Sequence, residues 1–182
     1  MQKKNIALIE DAAESVGTFY TSGKFKNKHT GTVGKIGCLS FNGNKIITTG
    51  GGGMILTDDE KLADKARYLT TQAKDDPISN IHHEIGYNFR LSNIQAALGV
   101  AQLKQLPGFL KRKKDTYLQY KAGLKDITGL TIAPVPDYAE NNHWLNLLQI
   151  DSEIYGKDRK ALMKKMGNND SARYVDPVSW YV

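Results

Sequence analysis

The sequence predicts an α/β chain: a mostly parallel sheet in a larger unit over residues 1–109, then a small α+β unit over residues 110–182. Three observations predict it. The run Asn5-Ile-Ala-Leu-Ile9 is apolar after its first residue and is stopped by Glu10-Asp11, the pattern of a strand covered on both faces. Gly53-Met-Ile-Leu-Thr57 is followed at once by Asp58-Asp59 and a helix-forming stretch, so strand and helix alternate. After Gly129 the texture changes to short apolar runs separated by Pro134 and Pro136.

Residues 5–9 read as a fully buried first strand. Asp11 to Gly17 then turns away from its end, where open α/β sheets place their ligands. Residues 19–34, rich in Gly, Lys and Thr, read as an exposed loop or hairpin. Ile36 to Phe41 is the second strand, and Asn42-Gly43-Asn44 is turn chemistry that delivers Lys45. Gly53 to Thr57 is the third strand, with a helix from about Glu60 to Leu69. Thr70 to His83 is polar, contains Asp75-Asp76-Pro77, and reads as loop. Ser92 caps a helix from Asn93 to about Leu106, with Ile94, Ala97, Leu98, Ala101 and Leu103 at helical spacing. Pro107-Gly108 is expected to interrupt it, with a basic helix following from Phe109 to about Leu124. Leu130 to Ile132 and Trp144 to Ile150 suggest strands of the small unit, and Lys157 to Met166 a helix. The stretch from Met166 onward is weakly patterned.

Composition excludes several function classes. With 40% hydrophobic and 24% charged residues the chain is ordinary for a soluble globular protein. No apolar run approaches the ~18 residues that span a bilayer, and no signal peptide is evident, so a cytoplasmic location and no membrane partner are expected. The single cysteine, Cys38, excludes an internal disulfide and reads as a buried strand residue rather than a nucleophile. The net charge of +6 gathers in Lys111-Arg-Lys-Lys114 and Lys157 to Lys165, which read as solvated helix faces. No zinc-finger or recognition-helix pattern favours nucleic acid. His29, His82, His83 and His143 have no metal-ligand spacing, so no metal is expected. Trp144 reads first as packing in the small unit and second as a platform for a sugar.

The chemistry gathers around Lys45. Gly50 to Gly53 follow this lysine and lead into a strand, whereas a triphosphate-binding loop needs its lysine after the glycines and a helix beyond. A lysine on such a loop, with Asp11 at a strand end, suits pyridoxal phosphate instead. The amine condenses with the cofactor aldehyde, and a carboxylate keeps the pyridine nitrogen protonated so that the ring accepts electrons. Ser40, five residues before Lys45, sets a hydroxyl within reach of a phosphate. Asp11 has an equal second reading from spacing alone, the N-cap of a following helix.

EDAAESVG, the stretch through IGCLSFNGNKIITTGGGGMILTDDE, and EIGYNFRLSNIQAALGVAQL resemble the DegT/DnrJ/EryC1/StrS family of sugar aminotransferases over roughly residues 4–165. SFNGNKIITTGGGG with LTTQAKDDP and NNHWLN is most similar to the LegC-like branch. The resemblance implies part of an aspartate aminotransferase-like large domain and an incomplete small domain. It implies amino transfer, from glutamate, to C4 of a UDP-linked 4-keto-6-deoxy-N-acetylhexosamine in bacterial surface-sugar synthesis, by a homodimer with shared active sites. Lys45 would be the catalytic lysine, Asp11 the partner of the pyridine nitrogen, Glu14 a neighbour of the ring hydroxyl and Ser40 a phosphate ligand. Asn88 and Arg90 would reach a neighbouring subunit's site, serving the cofactor phosphate or the substrate diphosphate. Family members carry a further half before the Asp11 strand, so this chain alone is expected not to transaminate. The alternative is a non-catalytic fragment that needs a separate N-terminal half or a partner subunit.

Overall fold

A computed structural model describes residues 6–76 and 78–166. In chain order the elements are β1 (Ile9–Asp11), β2 (Phe19–Tyr20), β3 (Ile36–Ser40), β4 (Gly53–Leu56), α1 (Glu60–Thr70), α2 (Asn93–Leu124), β5 (Leu130–Ile132), β6 (Ala139–Glu140), β7 (Leu148–Ile150), α3 (Ser152–Tyr155) and α4 (Arg159–Lys165). Among the described residues, one compact unit holds the chain up to Thr116 together with Val135–Leu145; the other holds Tyr117–Pro134 and the stretch from Asn146 to Met166.

The first unit is built on a sheet of order β1-β3-β4. β1 runs parallel to β3, with Asp11 opposite Cys38, and β4 runs antiparallel to β3, with Gly53 opposite Ser40 and Ile55 opposite Cys38. The α/β class holds, while this sheet is mixed where the sequence suggested a mostly parallel one. Because paired residues share a face and alternate residues return to it, Ile9, Asp11, Cys38, Ser40 and Ile55 lie on one face. Glu10, Leu39 and Met54 lie on the other.

The first strand departs from expectation in place and burial. It begins at Ile9 because its only described partner begins at Ile36, and the last contact before the ladder is Lys35 N–H donating to the Leu8 carbonyl at 2.8 Å. Ile6 and Ile9 are 60% and 62% exposed, so the apolar run is not buried. Cys38 is in a strand as expected, but only half-buried.

The opposite face is closed by the loop 31–34. Glu10 reaches across and accepts backbone N–H bonds from Gly31 (2.9 Å), Val33 (2.6 Å) and Gly34 (2.5 Å). The loop passes so close to β3 that a Cβ on Gly37 would sit 1.8 Å from the Gly31 carbonyl oxygen. Beyond the end of β3 the apolar core is Val16, Phe41 and Ile47, with Leu39, Ile46, Leu106 and Phe109 against it.

α1 starts on Asp59, whose carboxylate accepts from Leu62 N–H at 3.2 Å. α2 opens with a capping box. Gln95 N–H donates to Ser92 Oγ (3.3 Å), and Ser92 N–H donates back to Gln95 Oε1 (3.1 Å). The expected break at Pro107-Gly108 is absent: α2 is continuous for 32 residues with Pro107 inside. An interior proline costs about 3 kcal/mol. Leu106 and Phe109, on either side, pack on the Val16–Phe41–Ile47 core and offset it.

β2 pairs with β6, which brings the returning segment 135–145 onto residues 18–21 within the same unit. The expected strand over residues 144–150 is therefore shorter, Leu148–Ile150, because Trp144 and Leu145 belong to the first unit. In the second unit β5 and β7 pair antiparallel, burying Leu130 and Ile132. Asp151 caps α3, and Asp158 caps α4 by accepting from Ala161 N–H at 2.8 Å. The tail beyond Met166 lies outside the described residues.

Candidate active site

Lys45 sits on a turn with little freedom. Its own N–H donates to the Asn42 carbonyl at 3.0 Å, and Thr49 N–H returns to the Phe41 carbonyl at 2.9 Å, closing the loop on itself. Gln102 of α2 accepts from Thr48 N–H at 2.9 Å, and Ile47 and Thr49 are almost fully buried. The glycines follow with left-handed backbone at Gly50 and Gly52; a Cβ on Gly52 would meet Leu91 at 2.6 Å.

The amine itself has two neighbours. Lys45 Nζ lies 3.4 Å from Glu14 Oε1, the two side chains being 13% and 48% exposed, and 4.5 Å from the centroid of the Trp144 ring. The indole is tethered, its Nε1–H donating to the Asn44 carbonyl at 2.7 Å. Lys113 Nζ donates to the Trp144 carbonyl at 3.0 Å. Trp144 thus neither fills the small unit nor stands free; it lies against the lysine.

Asn142 explains how residues 141–145 come to be here. Its Nδ2 donates to the Glu14 (2.9 Å) and Val16 (3.0 Å) carbonyls, its Oδ1 accepts from Trp144 N–H (3.0 Å), and its own N–H reaches Thr18 Oγ1 (3.2 Å). At 4% exposure this amide replaces a strand ladder, fastening one chain segment to another. His143 beside it is also buried, with left-handed backbone; burial, then the charge of Lys114, pushes its imidazole below the ordinary value. His29 supports the same loop: Nε2 accepts from Gly17 N–H at 2.8 Å, so Nδ1 carries the proton and gives it to the Thr30 carbonyl.

Asp11 closes β1 on the same sheet face as Ser40. It is exposed rather than buried. No helix follows it, so the N-cap reading fails; among the described residues its carboxylate accepts one bond, from the local Ala13 N–H to Oδ1 at 3.1 Å, leaving the other oxygen open. Ser40 Oγ accepts a long 3.4 Å bond from Asn42 N–H. Asn88 and Arg90 are not drawn into this group. They are exposed on a segment that pairs with residues 70–72, through Phe89 N–H to the Thr70 carbonyl at 3.1 Å and Gln72 N–H to the Tyr87 carbonyl at 3.0 Å. Among the described residues no cluster of three metal-ligating side chains occurs, and no helix is long and apolar enough to cross a membrane.

Glu10, Asn142 and the Trp144–Lys45 contact escaped the sequence reading. The polar run Asn141-Asn142-His143 between an exposed stretch and an apolar one was the available signal, since such residues bond backbone when buried.

Aminotransferases of known structure share this α/β fold. PseC from Helicobacter pylori, an aminotransferase of pseudoaminic acid biosynthesis, superposes with a TM-score of 0.82 at 25% identity, covering 99% of this chain and 48% of PseC. The aminotransferase TlmJ from Streptoalloteichus hindustanus gives 0.81 at 25% identity, covering 95% of this chain and 46% of TlmJ. The DegT/DnrJ/EryC1/StrS aminotransferase family matches residues 1–176, and the chain belongs to it. EpsN of Bacillus subtilis, named as a pyridoxal phosphate-dependent aminotransferase, is 44% identical over 149 residues, which cover 82% of this chain and 37% of EpsN. The GDP-perosamine synthase of Vibrio cholerae is 34% identical over 168 residues, covering 90% of this chain and 42% of that enzyme. The chain thus spans about two fifths of these relatives.

Proposed function

We propose that this chain carries the lysine-bearing part of a pyridoxal phosphate-dependent nucleotide-sugar aminotransferase, with residues 1–109 from its large domain and 110–182 from its small one. The observation that carries the reading is Lys45 itself, a primary amine only 13% exposed on a turn fixed by Phe41, Ile47 and Gln102, with a carboxylate 3.4 Å away. The residues fit the cofactor. An amine, a strand-end hydroxyl and a carboxylate with an open oxygen are what its aldehyde, phosphate and pyridine nitrogen require.

Bound there, pyridoxal phosphate supplies an aldehyde for the amine and a ring that takes up an electron pair. Lys45 would provide the amine and serve as the base that takes the proton from the donor's Cα. Asp11 would hold the proton on the pyridine nitrogen. Glu14 would serve the ring hydroxyl, and it lies 3.4 Å from Lys45 Nζ. Ser40 would donate to the phosphate. Asn88 and Arg90 serve a second subunit's site, Asn88 at the cofactor phosphate and Arg90 at the substrate diphosphate, for which a planar guanidinium is well shaped. Their exposure, together with that of Ile85 (82%), Phe89 (70%) and Ile94 (84%), supports a homodimer through this segment. The substrate class we assign is that of the LegC-like branch, with glutamate donating to C4 of a UDP-linked 4-keto-6-deoxy-N-acetylhexosamine in the cytoplasm.

The test is incubation of the chain with pyridoxal phosphate, borohydride reduction and peptide mass spectrometry. The cofactor mass should fall on the Lys45 peptide and vanish in Lys45→Ala; labelling spread over other lysines and indifferent to that substitution would refute the assignment. A second reading, a fragment competent only beside a further polypeptide, is favoured by the exposure of Ile6, Ile9 and Ile55 on β1, β4 and the approach to β1. Labelling of Lys45 that requires co-expression with the preceding half of a relative would select it.

A further inference from the structure

We propose that Trp144 is the positioning residue for the Lys45 amine, and that the arm 141–145 thereby sets which way the lysine points. The proposal rests on Lys45 being the cofactor lysine, but the contact it invokes exists independently of that role. The indole ring is bonded to the lysine's own turn, and the backbone of Trp144 to its own arm and to α2. Its Nε1–H is bonded to the carbonyl of Asn44, the residue immediately before Lys45, at 2.7 Å. Its backbone N–H is bonded to Asn142 Oδ1 at 3.0 Å, and its carbonyl accepts from Lys113 Nζ at 3.0 Å. An indole held at the ring and at both backbone polar groups cannot turn away from the lysine without breaking one of them. Its face then presents negative quadrupole to Nζ at 4.5 Å, while Glu14 Oε1 lies 3.4 Å from the same atom.

Glu14 alone would be a weak guide. Its side chain is 48% exposed, and a solvated carboxylate at 3.4 Å constrains a four-carbon lysine stem poorly. The indole is the rigid member of the pair. The same amide that fixes Trp144 also bonds the Glu14 carbonyl, at 2.9 Å, so Asn142 sets both neighbours of the amine at once. Loss of the ring should therefore free the amine to solvent without unfolding the turn, which keeps its Phe41 and Gln102 bonds.

Two readouts test this on the full chain. In the first, lysines are converted to ¹³C-dimethyllysine with formaldehyde and a hydride donor, and their methyl resonances are recorded without cofactor. The Lys45 signal, identified by its loss in Lys45→Arg, should lie upfield of the other lysines through the indole ring current. It should stay displaced in Trp144→Phe and return to the common position in Trp144→Leu. A Lys45 signal at the common position in the wild type, or one unmoved by Trp144→Leu, overturns the proposal. In the second, pyridoxal phosphate is added; the amine attacks the aldehyde carbon with loss of water, and borohydride reduces the C=N bond to a stable secondary amine. Trp144→Leu should slow this labelling of Lys45 by roughly two- to thirtyfold, the range a ring–cation contact commands, while its acylation by a small untargeted reagent rises; Trp144→Phe should largely restore both rates. Labelling as fast in Trp144→Leu as in the wild type overturns the positioning role. A chain that takes no cofactor on Lys45 in any variant counts against the proposed function instead, and the methyl resonances still decide the role of Trp144.

Discussion

Replacing Glu10 by glutamine tests how the site-bearing strand is backed. The wild-type carboxylate accepts three backbone N–H groups, from Gly31, Val33 and Gly34, at 2.5–2.9 Å. Charge-assisted bonds of this kind contribute about 1.5–3 kcal/mol each when dry, but water reaches this half-buried group and two oxygens serve three donors. Glutamine keeps one acceptor oxygen and turns an amide N–H₂ toward a donor, so a loss of about 1–2 kcal/mol is expected at neutral pH, and about 2–4 for alanine. The pH dependence is more diagnostic than the size. Burial pushes the Glu10 carboxyl up, but the bonds from Gly34, Gly31 and Val33, with a smaller contribution from His29, outweigh it and hold it below the ordinary glutamate range. A carboxyl depressed in the folded state gives stability that is complete above the unfolded value, near about 4.3, and is lost as pH falls through the folded one. Urea unfolding followed by circular dichroism from pH 7 to pH 3 should show the wild type losing stability below about pH 4.5 more steeply than Glu10→Gln. Parallel curves for the two proteins would refute the account of Glu10 as the acceptor for that loop.

Two further outcomes follow from the arm 141–145. Asn142→Ala removes the acceptor for Trp144 N–H and leaves the carbonyls of Glu14 and Val16 without their donor, so urea unfolding should register a loss of about 2–4 kcal/mol; a change under 0.5 kcal/mol would contradict it. His143, depressed by burial and by Lys114, charges more readily unfolded than folded, so stability should fall as pH drops below about 6.5. His143→Gln should remove that component of the thermal midpoint's decline between pH 7 and pH 5, and an unchanged decline would count against it.

The strands at residues 36–40 and 53–56, the caps on Ser92 and Asp59, and the turn before Lys45 were legible because each is fixed by neighbours in sequence. Local signals failed where distant contacts decide. Pro107 carries a strong breaking signal, yet Leu106 and Phe109 anchor the helix through it on Val16, Phe41 and Ile47, far back in the chain. The apolar run before Glu10 resembled a covered strand, but its length is set by where β3 begins and its burial by what lies over it. Lys45 and Glu14 were both singled out from sequence, and the structure brings them together across 31 residues. Trp144 was read within the small unit because its packing partner lies 100 residues earlier; only the chain's return along β6 makes that contact possible.

The absence of a side chain at position 37 reaches further than its own strand. With the Gly31 carbonyl occupying the space a methyl group would need, backbone rests directly on backbone there. Even alanine must lift the 31–34 segment from the sheet, and with it the donors that Glu10 grips and the neighbour of Ala12. Position 37 therefore acts as a spacer gauge for the acid at the end of β1: a methyl group added beneath the sheet would be felt above it, at Asp11.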